Sequence, residues 1–357
     1  MQSDPISSAT QLGLLCRANI EFLCLLFIDN IFYIELTLCQ AIFNPHRTWE
    51  SLMKQRPLGR SDLSVSRIGL GCVTFGREID EKTSFEVMDY AFSQGINLFD
   101  TAAAYGGGES ERIIGRWLRD RGCRERIVLQ SKVRPPYTRE HIRASLEESL
   151  ARLAVDHIDV YMLHQFDPLI PLEEAMHALT LSIRSGQVKA AGCSNFTTEQ
   201  LQAADNIEKH SALSRFEVVQ PMYNLLARQI EADLLPYCSE NSIGVTSYSP
   251  LGAGFLTGKY SPDANAISRG SRFDVVPGHC DIYFTPSNFA IVEKLKLLSA
   301  RTRIPTFRLA LGWVLRNADV DSVLVGGTSA AHIQNAIEAL QSELDPELII
   351  EIDKLSI

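Results

Sequence analysis

The sequence predicts an α/β chain folded as a (β/α)8 TIM barrel, with an N-terminal β-hairpin over the barrel floor. Short apolar runs alternate with amphipathic, helix-like stretches from residue 66 onward. That alternation implies parallel strands joined by helical crossovers. Eight such units in roughly 250–280 residues fit one closed barrel better than two open sheets. No GxGxxG turn follows an early strand, as a doubly wound dinucleotide fold would require.

The strands are expected at Ser66–Cys72, Asn97–Asp100, Ile127–Lys132, Ile158–His164, Gln187–Ser194, Glu217–Gln220, Gly244–Tyr248 and Asp321–Val325. Helices are expected between them. Thr83–Ser93 carries Phe85, Val87, Met88 and Phe92 at helical spacing. Glu109–Arg121 is the next helix. In Thr138–Leu153, Ile142, Leu146, Leu150 and Leu153 form one apolar stripe. Leu172–Ser185 stops at Gly186. Thr197 and Gln200 have the spacing of a capping box and open the helix after the fifth strand. Segments near 228–240, 287–302, 306–316 and 331–341 supply the remaining helices. Pro57–Ser66 precedes the first barrel strand and reads as the hairpin.

The chain has 357 residues, of which 45% are hydrophobic and 22% charged, with a net charge of -9. The acidic balance argues against nucleic acid or an anionic membrane as the main partner. A nucleotide cofactor needs only a local anion site and stays open. Eight cysteines are present, without a CxxC pair or a Cys/His cluster of zinc spacing. They read as buried free thiols in a reducing, cytoplasmic setting. No metal site is expected. Residues 11–43 are apolar, yet Arg17, Glu21, Asp29 and Glu35 interrupt them. The charge-free run Phe22–Ile28 is far shorter than the roughly 20 residues of a membrane span. We read 1–52 as an atypical leader outside the fold, Met53 as the start, and 53–357 as one barrel domain. The alternative for the leader is a partner-binding or membrane-surface helix.

In a barrel of this kind chemistry collects at the C-terminal ends of the strands. The stretch FDTAAAYGGGESERIIG ends its strand on Asp100 and places Tyr105 in the following glycine-rich loop. VLQSK ends on Lys132 and DVYMLH on His164. Each has an ordinary reading by itself: a cap, a packed aromatic, an exposed lysine, a hydrogen-bonded histidine. Together they fall on consecutive strands at one end of the barrel. A free tyrosine has a pKa near 10 and is a poor acid at neutral pH. A neighbouring ammonium stabilises its phenolate and lowers that value. A carboxylate holds the lysine, and a histidine donates to a substrate oxygen. The four make a tuned proton donor facing a carbonyl.

Proton donation to a carbonyl needs an electron pair from elsewhere, and a cofactor is the expected source. The second half of the chain offers a site for one. Ser194, Asn195 and Gln220, in CSNF and VVQPMYN, suit a carboxamide. Tyr248 sits at a strand end where it can stack on a flat ring. Gly327, Thr328 and Ser329, before the last barrel helix, suit a phosphate.

The motifs FDTAAAYGGGESERIIG, Ser131–Lys132, Leu163–His164, GCSNF, QPMYN and YSPLGAGFLTGKY occur in this order. With them the chain strongly resembles the aldo-keto reductase superfamily, from about Pro57 to Leu340. It looks closer to the bacterial, plant and fungal sugar- and pyridoxal-reductase-like branches than to the vertebrate steroid reductases. The resemblance implies reduction of aldehydes and ketones with NADPH, with Tyr105 as general acid. It implies that Asp100 and Lys132 tune Tyr105 and that His164 orients the carbonyl. Tyr248 then corresponds to the nicotinamide-stacking aromatic. Ser249, Pro250, Leu251, Gly254 and Lys259 correspond to the pyrophosphate loop. In the family a basic residue follows the GxS turn and grips the 2′-phosphate. Here Ala330 and Ala331 come first and His332 is the basic candidate, so NADH use becomes an alternative to NADPH. Two other functions stay open: a sugar or lactol dehydrogenase running the reaction in reverse, and a channel-associated nucleotide-binding subunit with vestigial activity. The substrate is expected to be a small carbonyl compound, and Phe75, Phe166 and Tyr283 are candidates for an apolar pocket mouth. Substrate identity, physiological direction and oligomeric state are not readable from the sequence.

Overall fold

Two short strands, β1 (Gln55–Pro57) and β2 (Ser64–Ser66), pair antiparallel and form the expected hairpin. They belong to a computed structural model that describes residues 53–263, 267–342 and 344–356. The reading of 1–52 as a leader lies outside the described residues. Eight further strands follow: β3 (Ile68–Gly71), β4 (Leu98–Asp100), β5 (Val128–Val133), β6 (Ile158–Leu163), β7 (Val188–Ser194), β8 (Val218–Gln220), β9 (Gly244–Ser247) and β10 (Ser322–Gly326). All pair parallel, each with its sequence neighbour, and β10 closes on β3.

The side-chain alternation of a strand explains what fills this barrel. Leu98, Val128, Val160, Met162, Val218 and Leu324 form one apolar cluster with Leu58 and Val65 of the hairpin. Their strand neighbours Phe99, Leu129, Tyr161 and Val219 pack in the larger cluster, with helix residues such as Trp117. The hairpin therefore plugs the N-terminal end. A Cβ at Gly59 would lie 2.5 Å from the carbonyl oxygen of Glu217, and φ there is +59°, so this close approach needs glycine. Asn97, just before β4, ties the hairpin down by accepting from the Ser66 N–H at 2.8 Å.

The helices between strands are α1 (Glu81–Ser93), α2 (Glu109–Arg121), α3 (Arg139–Leu153), α4 (Leu172–Arg184), α5 (Thr198–His210) and α6 (Leu234–Asn241). The Thr197–Gln200 capping box opens α5 as the sequence predicts. After β9 come two short helices, α7 (Arg272–Val275) and α8 (His279–Tyr283), then α9 (Pro286–Thr302) and α10 (Thr306–Arg316). After β10, α11 (Ala330–Gln341) and α12 (Pro346–Asp353) end the fold.

Three differences from the sequence reading have physical causes. The first barrel strand begins at Ile68, not Ser66, because Ser66 belongs to the hairpin and Arg67 turns away. The Arg67 guanidinium is buried against the carbonyls of Leu315, Asn317, Val320 and Asp321. The helix expected near 228–240 begins only at Leu234, where the Asp233 side chain accepts the Leu234 N–H; Pro236 is tolerated in its first turn. The short helices α7 and α8 lie in a stretch without clear periodicity, and α12 was not anticipated.

Candidate active site

The inward alternation that places Leu98 and Val128 in the barrel also places Asp100, Gln130 and Lys132 there, nearer the C-terminal end. Lys132 is fully buried and Asp100 is 3% exposed. The Lys132 ammonium donates to Asp100 Oδ1 at 2.6 Å and to the Thr101 carbonyl at 2.9 Å. Its third contact is the Tyr105 hydroxyl, at 3.4 Å. An ammonium has three donors, and these three partners account for them. Two amides complete the shell of Asp100: Gln130 Nε2 at 2.6 Å and Gln220 Nε2 at 3.0 Å, both donating to Oδ1. Three donors thus converge on the one carboxylate oxygen, which offsets part of the cost of burying the ion pair.

The loop after β4 positions Tyr105. Gly106, Gly107 and Gly108 have φ of +57°, +62° and +87°, a left-handed run that side-chain-bearing residues resist. Ser110 then donates to the Cys72 carbonyl at 2.8 Å and meets the Thr101 hydroxyl at 2.9 Å. Glu111, fully buried, accepts from Ser131 and from Arg152, both at 2.6 Å. The polar residues of the FDTAAAYGGGESE stretch thus lock the tyrosine loop to β3, β5 and α3.

His164 follows β6 and donates its N–H to the Val133 carbonyl. Its ring meets that of Tyr105 edge-on, with centroids 5.8 Å apart. His164 Nδ1 is buried without a hydrogen-bond partner among the described residues. An orphaned buried N–H costs more than an orphaned lone pair on so weak an acceptor, which favours the tautomer with its proton on Nε2. Burial, then the charges of Lys132 and Arg134, pull the imidazole pKa down to about 3. His164 is therefore a neutral hydrogen-bond donor. Burial opposes the charge on Lys132, but Asp100 and Tyr105 outweigh it and hold the ammonium above its ordinary range. The Tyr105 hydroxyl differs from the sequence expectation. Lys132 does pull it down, but burial dominates and leaves it above the usual tyrosine value. It is a firmly protonated donor in this state.

The residues expected to hold a cofactor stand around the same end of the barrel. Ser194 donates to the Gln220 carbonyl at 2.9 Å. Asn195, at φ +58°, donates to the His164 carbonyl at 3.0 Å and accepts from the Tyr248 hydroxyl at 2.7 Å. Gln220 directs its Nε2 at Asp100 Oδ1 at 3.0 Å. Beyond Tyr248, Ser249, Gly252, Ala253 and Gly254 have φ of +56°, +56°, +57° and +89°. These left-handed residues build a run of tight turns in which the Gly252 and Gly254 N–H groups bond the Ser249 and Leu251 carbonyls at 2.9 and 3.0 Å. Pro250 is buried and Leu251 packs against the core. Lys259 is exposed, with its ammonium 3.9 Å from where a Gly254 Cβ would be.

At the last turn, His332 folds back over Gly327, where a Cβ would fall 2.6 Å from the His332 Cβ. His332 Nδ1 accepts the Thr328 N–H at 3.2 Å and lies 3.4 Å from the Ser329 hydroxyl. An imidazole accepting through Nδ1 is neutral. The predicted basic candidate is thus engaged as a cap on its own helix start.

The three pocket candidates divide. Phe75 is fully buried in the core. Tyr283 is 3% exposed and packs with Phe255 and Phe273 beneath Gly252. Neither presents the open aromatic face that was expected, because the loops bearing them fold inward. Phe166 keeps an exposed edge and meets Phe196 edge-on at 5.4 Å. Sequence reasoning missed Gln130 and Asn224. Gln130 lies two residues before Lys132 on the inward face, a signal that was available. Asn224 donates to the Ser249 carbonyl at 2.9 Å and braces the 249–254 loop.

Comparison with known proteins fixes the family. The sequence profile of the Aldo/keto reductase family matches residues 67–357. The chain belongs to that family. It is 33% identical over 315 residues to "Uncharacterized oxidoreductase YrpG" of Bacillus subtilis (strain 168), covering 83% of this chain and 94% of the relative. It is 32% identical to a "Probable voltage-gated potassium channel subunit beta" of Oryza sativa subsp. japonica, covering 84% and 96%. It is 31% identical to the "NADH-specific methylglyoxal reductase" of Escherichia coli (strain K12), covering 84% and 98%. This aldo-keto reductase is an oxidoreductase enzyme, with carbonyl reduction as its general chemistry. Among the described residues, no helix is long and apolar enough to cross a membrane.

Proposed function

We propose that this aldo-keto reductase reduces a small aldehyde or ketone to the alcohol with NADPH or NADH, using Tyr105 as the proton donor. One observation carries the reading: the buried Lys132 ammonium is held by Asp100 and Thr101 so that its remaining contact is the Tyr105 hydroxyl. A reduced nicotinamide supplies the hydride when bound. The residues fit that group. Tyr248 offers a ring at the barrel mouth, Ser194 and Asn195 offer polar atoms beside it, and the left-handed 249–254 loop suits the pyrophosphate.

The chain's own steps follow from the geometry. His164 Nε2–H and the Tyr105 hydroxyl both orient a carbonyl oxygen. As negative charge develops there, Tyr105 gives up its proton and the oxygen becomes the alcohol O–H. The tyrosinate left behind sits beside the Lys132 ammonium, which stabilises it until solvent returns a proton. Asp100, with Gln130 and Gln220 on it, keeps Lys132 in place. The engagement of His332 leaves Lys259 as the cation near the turn, which supports acceptance of NADH alongside NADPH. The channel-subunit name of the rice relative motivates a second reading, a binding subunit. The complete Asp100–Tyr105–Lys132–His164 set favours turnover. We place the activity in the cytoplasm, consistent with free cysteines at Cys72, Cys123, Cys193, Cys238 and Cys280.

Titration with NADPH and with NADH, followed by quenching of intrinsic fluorescence, tests the cofactor site. A panel of carbonyl compounds, followed by nucleotide absorbance, tests turnover. Binding of at least one nucleotide and its oxidation by an aldehyde is the expected result. Binding of neither would overturn the assignment.

A further inference from the structure

The strand alternation that points Gln130 and Lys132 into the barrel continues one step further, to Arg134. This residue follows the end of β5, about 7 Å of strand beyond Lys132, at the rim of the proposed site. It lies beside His164, because the His164 N–H bonds the carbonyl of Val133, its immediate neighbour. The carbonyl of Arg134 is within 3.2 Å of His141 Nε2, which fixes the backbone. Its side chain is exposed. Its charge is felt at the imidazole of His164.

Arg134 has no carboxylate partner among the described residues. Two arginines on other loops of this face are engaged by a carboxylate: Arg77 and Arg272 both pair with Glu78. The carboxylate of the neighbouring loop is also taken. Asp167 Oδ2 accepts the Tyr137 N–H at 3.2 Å, and Oδ1 accepts the Leu169 N–H at 3.0 Å. Inside the barrel the Lys132 charge is balanced by Asp100, and His164 is neutral. Arg134 therefore brings an uncompensated guanidinium to the rim of the site, next to the backbone pairing that holds His164. A guanidinium is built for two-pronged recognition of a carboxylate or phosphate. The exposed edge of Phe166 and the bare Leu169, 87% exposed, flank the same mouth and offer an apolar surface to the chain between the two groups.

We propose that Arg134 is a substrate-binding residue that selects carbonyl compounds bearing an anionic group, a carboxylate or a phosphate, a short distance from the carbonyl. The inference rests on the carbonyl-reductase reading given above. In binding, the anion of the substrate replaces water on the Arg134 guanidinium while the carbonyl reaches Tyr105 and His164.

The test compares matched pairs with the full-length protein and saturating nucleotide. 4-Carboxybenzaldehyde is set against its methyl ester, and glyceraldehyde 3-phosphate against glyceraldehyde. In the wild type, kcat/KM is expected to be at least tenfold higher for one or both anionic members, with the difference carried by KM and shrinking as salt is added. The preferred pair distinguishes a carboxylate from a phosphate ligand. In Arg134→Gln that ratio falls at least tenfold, and Arg134→Lys restores part of it. Equal handling of charged and uncharged members by the wild type overturns the proposal, as does a ratio that Arg134→Gln leaves intact. Reduction of the uncharged members alone sinks only the anion selection. Failure to reduce any member while nucleotide binds counts against the carbonyl-reductase reading itself, and the anion selection falls with it.

Discussion

His164 illustrates how one residue's surroundings decide its chemistry. Burial and two nearby cations hold its pKa at about 3, against about 6.5 for an unperturbed histidine. The folded form is thus neutral while the unfolded chain takes up a proton below that ordinary value. His164 therefore contributes instability as pH falls from about 6.5 toward 3, while in the folded protein it stays a neutral hydrogen-bond donor down to about 3. The pH profile of kcat for an uncharged aldehyde should show no step near 6.5. An inflection there that disappears in His164→Asn would contradict this assignment. At this scale the sequence made Asp100, Tyr105, Lys132 and His164 legible, because charged or polar residues ended apolar runs. It did not reveal the two amides on Asp100. Gln130 looks like an ordinary strand residue until alternation turns it inward, and Gln220 reads as a cofactor residue without its bond to Asp100. Nor did it reveal that burial outweighs Lys132 at the Tyr105 hydroxyl, a balance that depends on the depth of the loop.

At the scale of elements, α2 shows why sequence spacing carries a site. Its first turn anchors the tyrosine loop through Ser110 and Glu111, and its middle presses against the end of α3. A Cβ at Gly115 would lie 2.4 Å from the Leu153 carbonyl oxygen, a distance that backbone must move to relieve. Gly115→Ala should lower stability by about 1–3 kcal/mol, the usual cost of overpacking. Because α2 and α3 both hold the loop through Glu111 and Arg152, kcat should fall too. Denaturant unfolding checks the first effect and steady-state kinetics the second; an unchanged midpoint would refute the close packing. All eight barrel strands were legible to within two residues, because parallel strands buried on both faces read as apolar runs. The stretch holding α7 and α8 was not. Its helices have four and five residues and are held by an aromatic cluster of Phe255, Phe273, Tyr283 and Phe284. Such packing leaves no period in the sequence.

For the whole molecule, the barrel is finished at its two ends by different means. The hairpin seals one end with Leu58 and Val65, both fully buried, and the loops build the site at the other. Stability and chemistry are therefore separable. Leu58→Ala removes a plug remote from Tyr105 and should cost about 2–5 kcal/mol. Its effect on KM should be slight under conditions where the variant is folded. A large loss of catalysis without a loss of stability would show that the floor and the site are coupled. Closure of the sheet was legible from the count of strand–helix units and their length. The inward fold of Phe75 and Tyr283 was not, since it depends on how separate loops settle over the mouth.

The most direct test is Tyr105→Phe, which deletes one hydroxyl and leaves the ring in place. The variant should quench with nucleotide as the wild type does, and its kcat should fall by about 10²–10⁴-fold, the range expected for loss of a positioned general acid. Turnover at the wild-type rate would contradict the proposed mechanism.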